Sequence, residues 1–137
     1  MRLLITFLFC VIFSSVSFSQ ETEAIDSLIV KPNVQAYLEH VPNDTTDGYF
    51  KFRDSVVAPI KGLRIKLTSK PAMGSVLEIF NPYEVPFIYK AFIYNFKKKK
   101  YVEAAVYPVQ PKMGVREMWD FPIEQILIKQ FKLEVEK

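Results

Sequence analysis

Few side chains in this chain could carry chemistry, and their types exclude most mechanisms. The one cysteine, Cys10, lies inside an apolar N-terminal run, and the one histidine is His40. Nucleophilic catalysis by cysteine is therefore closed to everything downstream of that run. A serine triad needs a histidine base, and a zinc site needs several Cys or His ligands. His40 stands two residues past Leu38 and just before Pro42, where it reads as a strand-end residue with one ring nitrogen hydrogen-bonded; as a metal ligand it would be alone. Glycoside hydrolysis asks only for two carboxylates about 5 to 9 Å apart across a cleft. Glu78, Glu84, Glu103, Glu117, Asp120 and Glu124 are available, yet most occupy the polar positions of alternating segments, where solvation is their ordinary role. The inventory predicts no enzyme, no cofactor and no metal centre.

Three patterns come closer to binding. Asn43, Thr45, Asp47, Gly48 and Asp54 fall at the first, third, fifth, sixth and twelfth positions of a calcium loop. Thr45 replaces an acid there, Asp54 is shorter than the usual final Glu, and Phe50 to Arg53 read as strand, so a turn rich in Asn, Asp and Gly accounts for the same residues. Lys97 to Lys100 join two predicted strands; they read as a solvated hairpin tip that discourages edge pairing, with contact to an acidic partner or anionic surface as the functional alternative. The 7 Tyr and 1 Trp are the remaining candidates. Tyr49, Tyr101 and Tyr107 share a face with charged or polar neighbours, and Trp119 stands between Met118 and Asp120. These four are the predicted ligand-binding residues, because Tyr and Trp stack on sugars and anchor protein interfaces. Trp119 also suits a corner of the core.

Where such residues act is set by the first nineteen residues, which have the layout of a secretory signal peptide. Arg2 supplies the basic start, Leu3 to Phe13 an unbroken apolar stretch, and Ser17 and Ser19 the small residues of a cleavage site before Gln20. The apolar stretch is short for a bilayer span, and polar, acidic residues follow it. Cys10 lacks the small residues that lipoprotein processing needs just before the cysteine. Removing nineteen of the 137 residues leaves 118, one domain without a thiol, held by packing rather than by disulfides. The predicted location is the periplasm or the cell surface. With 18 basic and 15 acidic residues over the whole chain, no strong basic excess points to nucleic acid.

The elements that must position the candidates repeat with a period of two, the mark of half-buried strands. Phe50 and Phe52 alternate with Lys51 and Arg53, Leu63, Ile65 and Leu67 with Arg64, Lys66 and Thr68, and Leu77 and Ile79 flank Glu78. Val34, Ala36 and Leu38 form a weaker first strand, and Val102, Ala104 and Val106 a late one. Phe87 to Phe96 is apolar on both faces apart from Lys90 and Asn95, as in a central strand. Turn chemistry separates these runs at Pro42 to Gly48, Lys61-Gly62, Pro71 to Gly74, Asn81-Pro82 and Pro111 to Gly114. The predicted fold is all-β: an immunoglobulin-like antiparallel β-sandwich of about seven strands spanning 31–137, after a cleaved signal peptide (1–19) and an N-terminal extension (20–30).

Leu77-Glu78-Ile79-Phe80-Asn81-Pro82 followed by Pro86-Phe87-Ile88-Tyr89-Lys90-Ala91 resembles the strand, Asn-Pro turn, strand arrangement of bacterial immunoglobulin-like exported accessory domains. That resemblance covers about a fifth of the chain after the leader and implies a fold and a binding role, with no active residue. Asp26-Ser27-Leu28, Asp44-Thr45-Thr46 and Asp54-Ser55-Val56 are similar to the acceptor pattern of some bacterial exported glycoproteins. Pro122 to Lys137 reads two ways. A helix would place Ile123, Ile126, Leu127 and Phe131 on one stripe, whereas a strand aligns Ile126 and Ile128 with Phe131, Leu133 and Val135 if a bulge near Lys129 and Gln130 adds one residue. The strand is preferred, since Ile128, Leu133 and Val135 fall off the helical stripe. The functional expectation is a non-catalytic envelope module that binds another envelope or secreted protein or plays a structural part, with a carbohydrate-binding module as the alternative.

Overall fold

Alternation at period two makes one side of each strand apolar, and two sheets bury those sides against each other. The computed structural model describes residues 24–43, 46–53 and 61–135, and these form strands and turns without a helix. The strands are β1 (Ala24–Ile25), β2 (Ser27–Val30), β3 (Gln35–Asn43), β4 (Thr46–Arg53), β5 (Leu63–Lys70), β6 (Gly74–Phe80), β7 (Phe87–Asn95), β8 (Lys100–Ala104), β9 (Gly114–Trp119) and β10 (Ile126–Leu133). The larger sheet has the order β1-β4-β3-β5-β6-β9 and the smaller β2-β10-β7-β8, with antiparallel strand pairs throughout. The all-β sandwich expected from the sequence is thus present. The leader lies outside the described residues, as do Asp44, Thr45 and Asp54 to Ile60.

The core lies between the sheets. Leu63, Ile65 and Leu67 of β5 and Leu77 and Ile79 of β6 are fully buried, facing Phe87 and Ala91 of β7 and Ile126 and Ile128 of β10. Each such Leu, Ile or Phe side chain contributes about 1.5–3 kcal/mol of transfer free energy. Phe50 reaches from the larger sheet to meet Phe87 and Phe131 edge-on, with ring centroids 5.8 and 5.2 Å apart. Val102 and Val34 are exposed: Val102 sits on edge strand β8, and Val34 precedes β3.

Two elements bear on the sequence reading. Residues 24–30, set within an extension before the sandwich, supply β1 to the larger sheet and β2 to the smaller, so the chain crosses between sheets at Asp26. At the C-terminus the strand forms, and its register against β7 shifts between Lys129 and Lys132. Gln130, at φ 51°, is the extra residue, and it keeps Ile126, Ile128, Phe131 and Leu133 all buried. Val135 lies beyond the strand and is exposed. Gly74 turns β5 into β6 at φ 86°; a Cβ there would collide with the Trp119 carbonyl oxygen, so only glycine lets the end of β9 close on the hairpin.

Candidate functional site

The four predicted aromatic residues do not form one platform. Tyr49 is on β4 and Trp119 ends β9, four strand positions away in the same sheet, about 19 Å at the usual strand spacing. Tyr101 belongs to β8 of the other sheet. There it accepts a hydrogen bond from the Gln125 amide and packs edge-on against Tyr94 at 5.1 Å. Lys51 places its ammonium 5.6 Å from the Tyr49 ring centroid. Tyr107, in the β8–β9 connection, is the most open of the four at 74% exposure.

Tyr107 and Trp119 do meet the same strand, β9. The Tyr107 amide donates to Glu117 Oε1 at 3.1 Å, and Glu117 lies two residues before Trp119. Trp119 is half-buried against the core and pairs with Ser75. Ser75, itself buried, donates to the Phe121 carbonyl at 2.9 Å and accepts the Ile123 N–H at 2.8 Å, locking the segment that follows β9.

Strand β9 pairs only with β6 among the described residues and therefore ends the larger sheet. The Asn81 N–H donates to the Met113 carbonyl at 2.9 Å, in register with the β6–β9 pairs Ile79↔Val115 and Leu77↔Glu117. By the alternation of an antiparallel ladder, the N–H and C=O groups of Gly114, Arg116 and Met118 point away from β6. Large apolar side chains surround this open edge. Met113, Met118 (73%) and Phe121 are exposed on or beside the strand, and Met73 is exposed in the turn preceding Gly74, at the Trp119 end. A groove of about 460 Å³ on the outer face runs beside it, lined by Arg64, Lys66, Glu78, Phe80, Gly114 and Arg116. Its electrostatics are mixed: Arg116 Nε lies 2.9 Å from Glu78 Oε1, and the Arg64 guanidinium sits 5.4 Å from the Phe80 ring centroid.

A second cleft, about 800 Å³, opens where β1 passes to β2, between β4 and β10, and His40, Tyr49, Phe50, Lys129 and Phe131 are among its lining. His40 lies within β3 rather than at a strand end, two residues past Leu38, and is edge-on to Phe50 at 5.2 Å and Tyr83 at 6.0 Å. The Tyr83 hydroxyl accepts the His40 N–H at 2.8 Å and donates to the Lys61 carbonyl at 3.0 Å. Burial pushes its phenol above the ordinary tyrosine range, against the pull of the His40 N–H. Asn81 carries the Asn-Pro turn. Fully buried, it donates to the carbonyls of Val85 (2.9 Å) and Val109 (3.1 Å) and accepts the Tyr83 N–H at 2.9 Å.

The remaining sequence candidates are scattered. Asn43 pairs with Thr46 across a hairpin, and Gly48 lies within β4, so the calcium-like spacing is taken up by paired strands; its Thr45 and Asp54 lie outside the described residues. No group of three or more His, Cys, Asp or Glu among the described residues is placed to hold a metal ion. Glu84 pairs with Lys112 at 2.9 Å, which holds its carboxyl below the usual range. The residues missed by the sequence reading are Met113, Met118, Phe121 and Met73. For Met118 a signal existed: with Val115 and Trp119 turned inward, period two puts Arg116 and Met118 outward. Comparisons with protein families, with curated proteins and with solved structures find no match to this chain.

Proposed function

We propose that this chain is an exported, non-catalytic module of immunoglobulin-like type that binds another envelope or secreted protein along the β9 edge. The observation that carries the reading is the coincidence of a strand edge unpaired among the described residues with exposed Met113, Met118, Phe121 and Tyr107. An extended segment of a partner can continue the sheet there, main chain to main chain, while flexible methionines adapt to its side chains. Arg, Met and aromatic residues are the types enriched at such interfaces. Two antiparallel sheets with the N-terminal strands divided between them support the immunoglobulin-like assignment, and the leader sequence supports export. The sugar-binding alternative has less behind it: the candidate rings are dispersed, and the Tyr94 pairs with Phe96 and Tyr101 meet at 82° and 66° rather than lying coplanar.

The test is cross-linking from position 118 in the producing cells, with a photoreactive residue at Ile88 on the other sheet for comparison. One protein should be captured from position 118 alone, and the double variant Met113→Lys, Met118→Lys should stop that protein from co-purifying. Equal capture from both positions, or undiminished co-purification, refutes the β9 assignment. Glycan binding that disappears in Tyr107→Ala would instead establish the carbohydrate reading.

A further inference from the structure

The smaller sheet turns a different kind of surface outward. With Phe87, Tyr89 and Ala91 buried, Ile88, Lys90, Phe92 and Tyr94 of β7 face away from the core. Their neighbours across the ladder are Lys132, Lys129, Leu127 and Tyr101, and Ile29 extends the apolar row at 52% exposure. Lys129 stands directly opposite Lys90, and like charges in that position destabilise a sheet. The β7–β8 hairpin then ends in Phe96 and Lys97 to Lys100, all exposed. Lys98 N–H is held by Asn95 Oδ1 at 3.0 Å, and Lys99 takes φ 51°, so the tip has a defined shape. Against these lysines the strands of this face carry one outward carboxylate, Glu103. None of the ion pairs among the described residues includes Lys90, Lys129, Lys132 or the tip lysines.

We infer that this face and its hairpin tip dock on an anionic lipid bilayer. Charge complementarity requires a negative occupant, and shape selects the bilayer. From Lys90 to its end at Asn95, β7 runs about 17 Å, about twice the screening length of about 8 Å at physiological salt, with the tip lysines beyond it. One small anion or one acidic side chain therefore meets only a part of the field, whereas a lipid surface meets all of it. The tip lysines lie outside both clefts described above. Phe96, Tyr94 and Tyr101 interleave with the lysines as an edge-on cluster, at 4.6 and 5.1 Å between centroids. Aromatic rings of this kind settle at the headgroup level of a bilayer while lysine stems lie along the apolar surface and keep their ammonium groups in water.

The inference is independent of the β9 reading, because the residues belong to the other sheet. Its test is sedimentation of the purified protein with vesicles of phosphatidylglycerol and phosphatidylcholine in equal parts, against vesicles of phosphatidylcholine alone. Binding should appear only with the anionic vesicles and fade as NaCl is raised. Each lysine neutralised should weaken it roughly fivefold, so Lys97→Gln, Lys98→Gln, Lys99→Gln and Lys100→Gln combined should remove it, with circular dichroism unchanged. Phe96→Ser should weaken it with every charge retained. Lys90→Gln with Lys129→Gln gives a second reading away from the tip and should weaken it about 25-fold. Equal binding to both kinds of vesicle, no binding to either, or binding to polyglutamate with none to vesicles overturns the proposal.

Discussion

Replacing Asn81 by Ala tests whether the Asn-Pro turn is a structural knot rather than a local bend. In the native chain the side chain is fully buried and makes three good hydrogen bonds, to the Val85 and Val109 carbonyls and from the Tyr83 N–H. Those bonds join the β6–β7 connection to the segment that precedes β9. The Val109 carbonyl keeps a second partner in the Phe87 N–H at 2.9 Å. Alanine therefore orphans chiefly the Tyr83 N–H and the Val85 carbonyl. At about 1 kcal/mol for each bond, the variant should lose roughly 3 kcal/mol. For a domain of this size that is a fall of about 10–15 °C in Tm. Asn95→Ala is the internal reference: it removes one side-chain bond to the Lys98 N–H at 3.0 Å in an exposed turn and should stay within about 0.5 kcal/mol. Urea unfolding of both variants, compared by midpoint and slope, measures the difference. If Asn81→Ala is no more destabilising than Asn95→Ala, burial is not what gives this asparagine its weight, and the knot does not exist.

Two further outcomes follow from the core. The Tyr89 hydroxyl is buried, in a residue only 5% exposed, and it has no hydrogen-bond partner among the described residues. Burial, with the Glu117 carboxylate adding to it, pushes its phenol well above the ordinary range, so the unfolded chain ionises first and stability falls as pH rises beyond about 10. Tyr89→Phe should be stabilising by roughly 1 kcal/mol at neutral pH and should flatten the alkaline loss, as read by thermal melts from pH 7 upward; an unaltered alkaline slope contradicts the assignment. Deleting Gln130 removes the bulge and leaves Ile126, Ile128, Phe131 and Leu133 in unbroken alternation on one face, so the variant should keep a cooperative melt; loss of cooperative unfolding would mean the register is set elsewhere.

Much of the architecture was legible because burial on one side of a sheet imposes a period of two on the chain. Leu63, Ile65 and Leu67 with their intervening Arg64 and Lys66 admit no other element, and the same rhythm with one residue too many at Gln130 called for the bulge that β10 contains. The turn at Asn81 followed from its Asn-Pro pair, whereas His40, expected at a strand end, lies within β3. The site was less legible. Tyr49, Tyr101, Tyr107 and Trp119 were chosen by type and polar neighbours, and only Tyr107 and Trp119 come to a common strand.

Alternation assigns each side chain a face but says nothing of which strand lies beside which. That depends on hydrogen bonds between residues far apart in the chain, such as Ser75 with Trp119 across β6 and β9 or Lys90 with Lys129 across β7 and β10. From the residues alone come an all-β chain and a hairpin tipped by Lys97 to Lys100. Strand order alone makes β9 an edge, so that the same Met118 that a neighbouring strand would have crowded stands open to a partner. Strand order alone also sets two lysines face to face on the smaller sheet, because pairing in three dimensions, not spacing in one, determines which charges must share a surface.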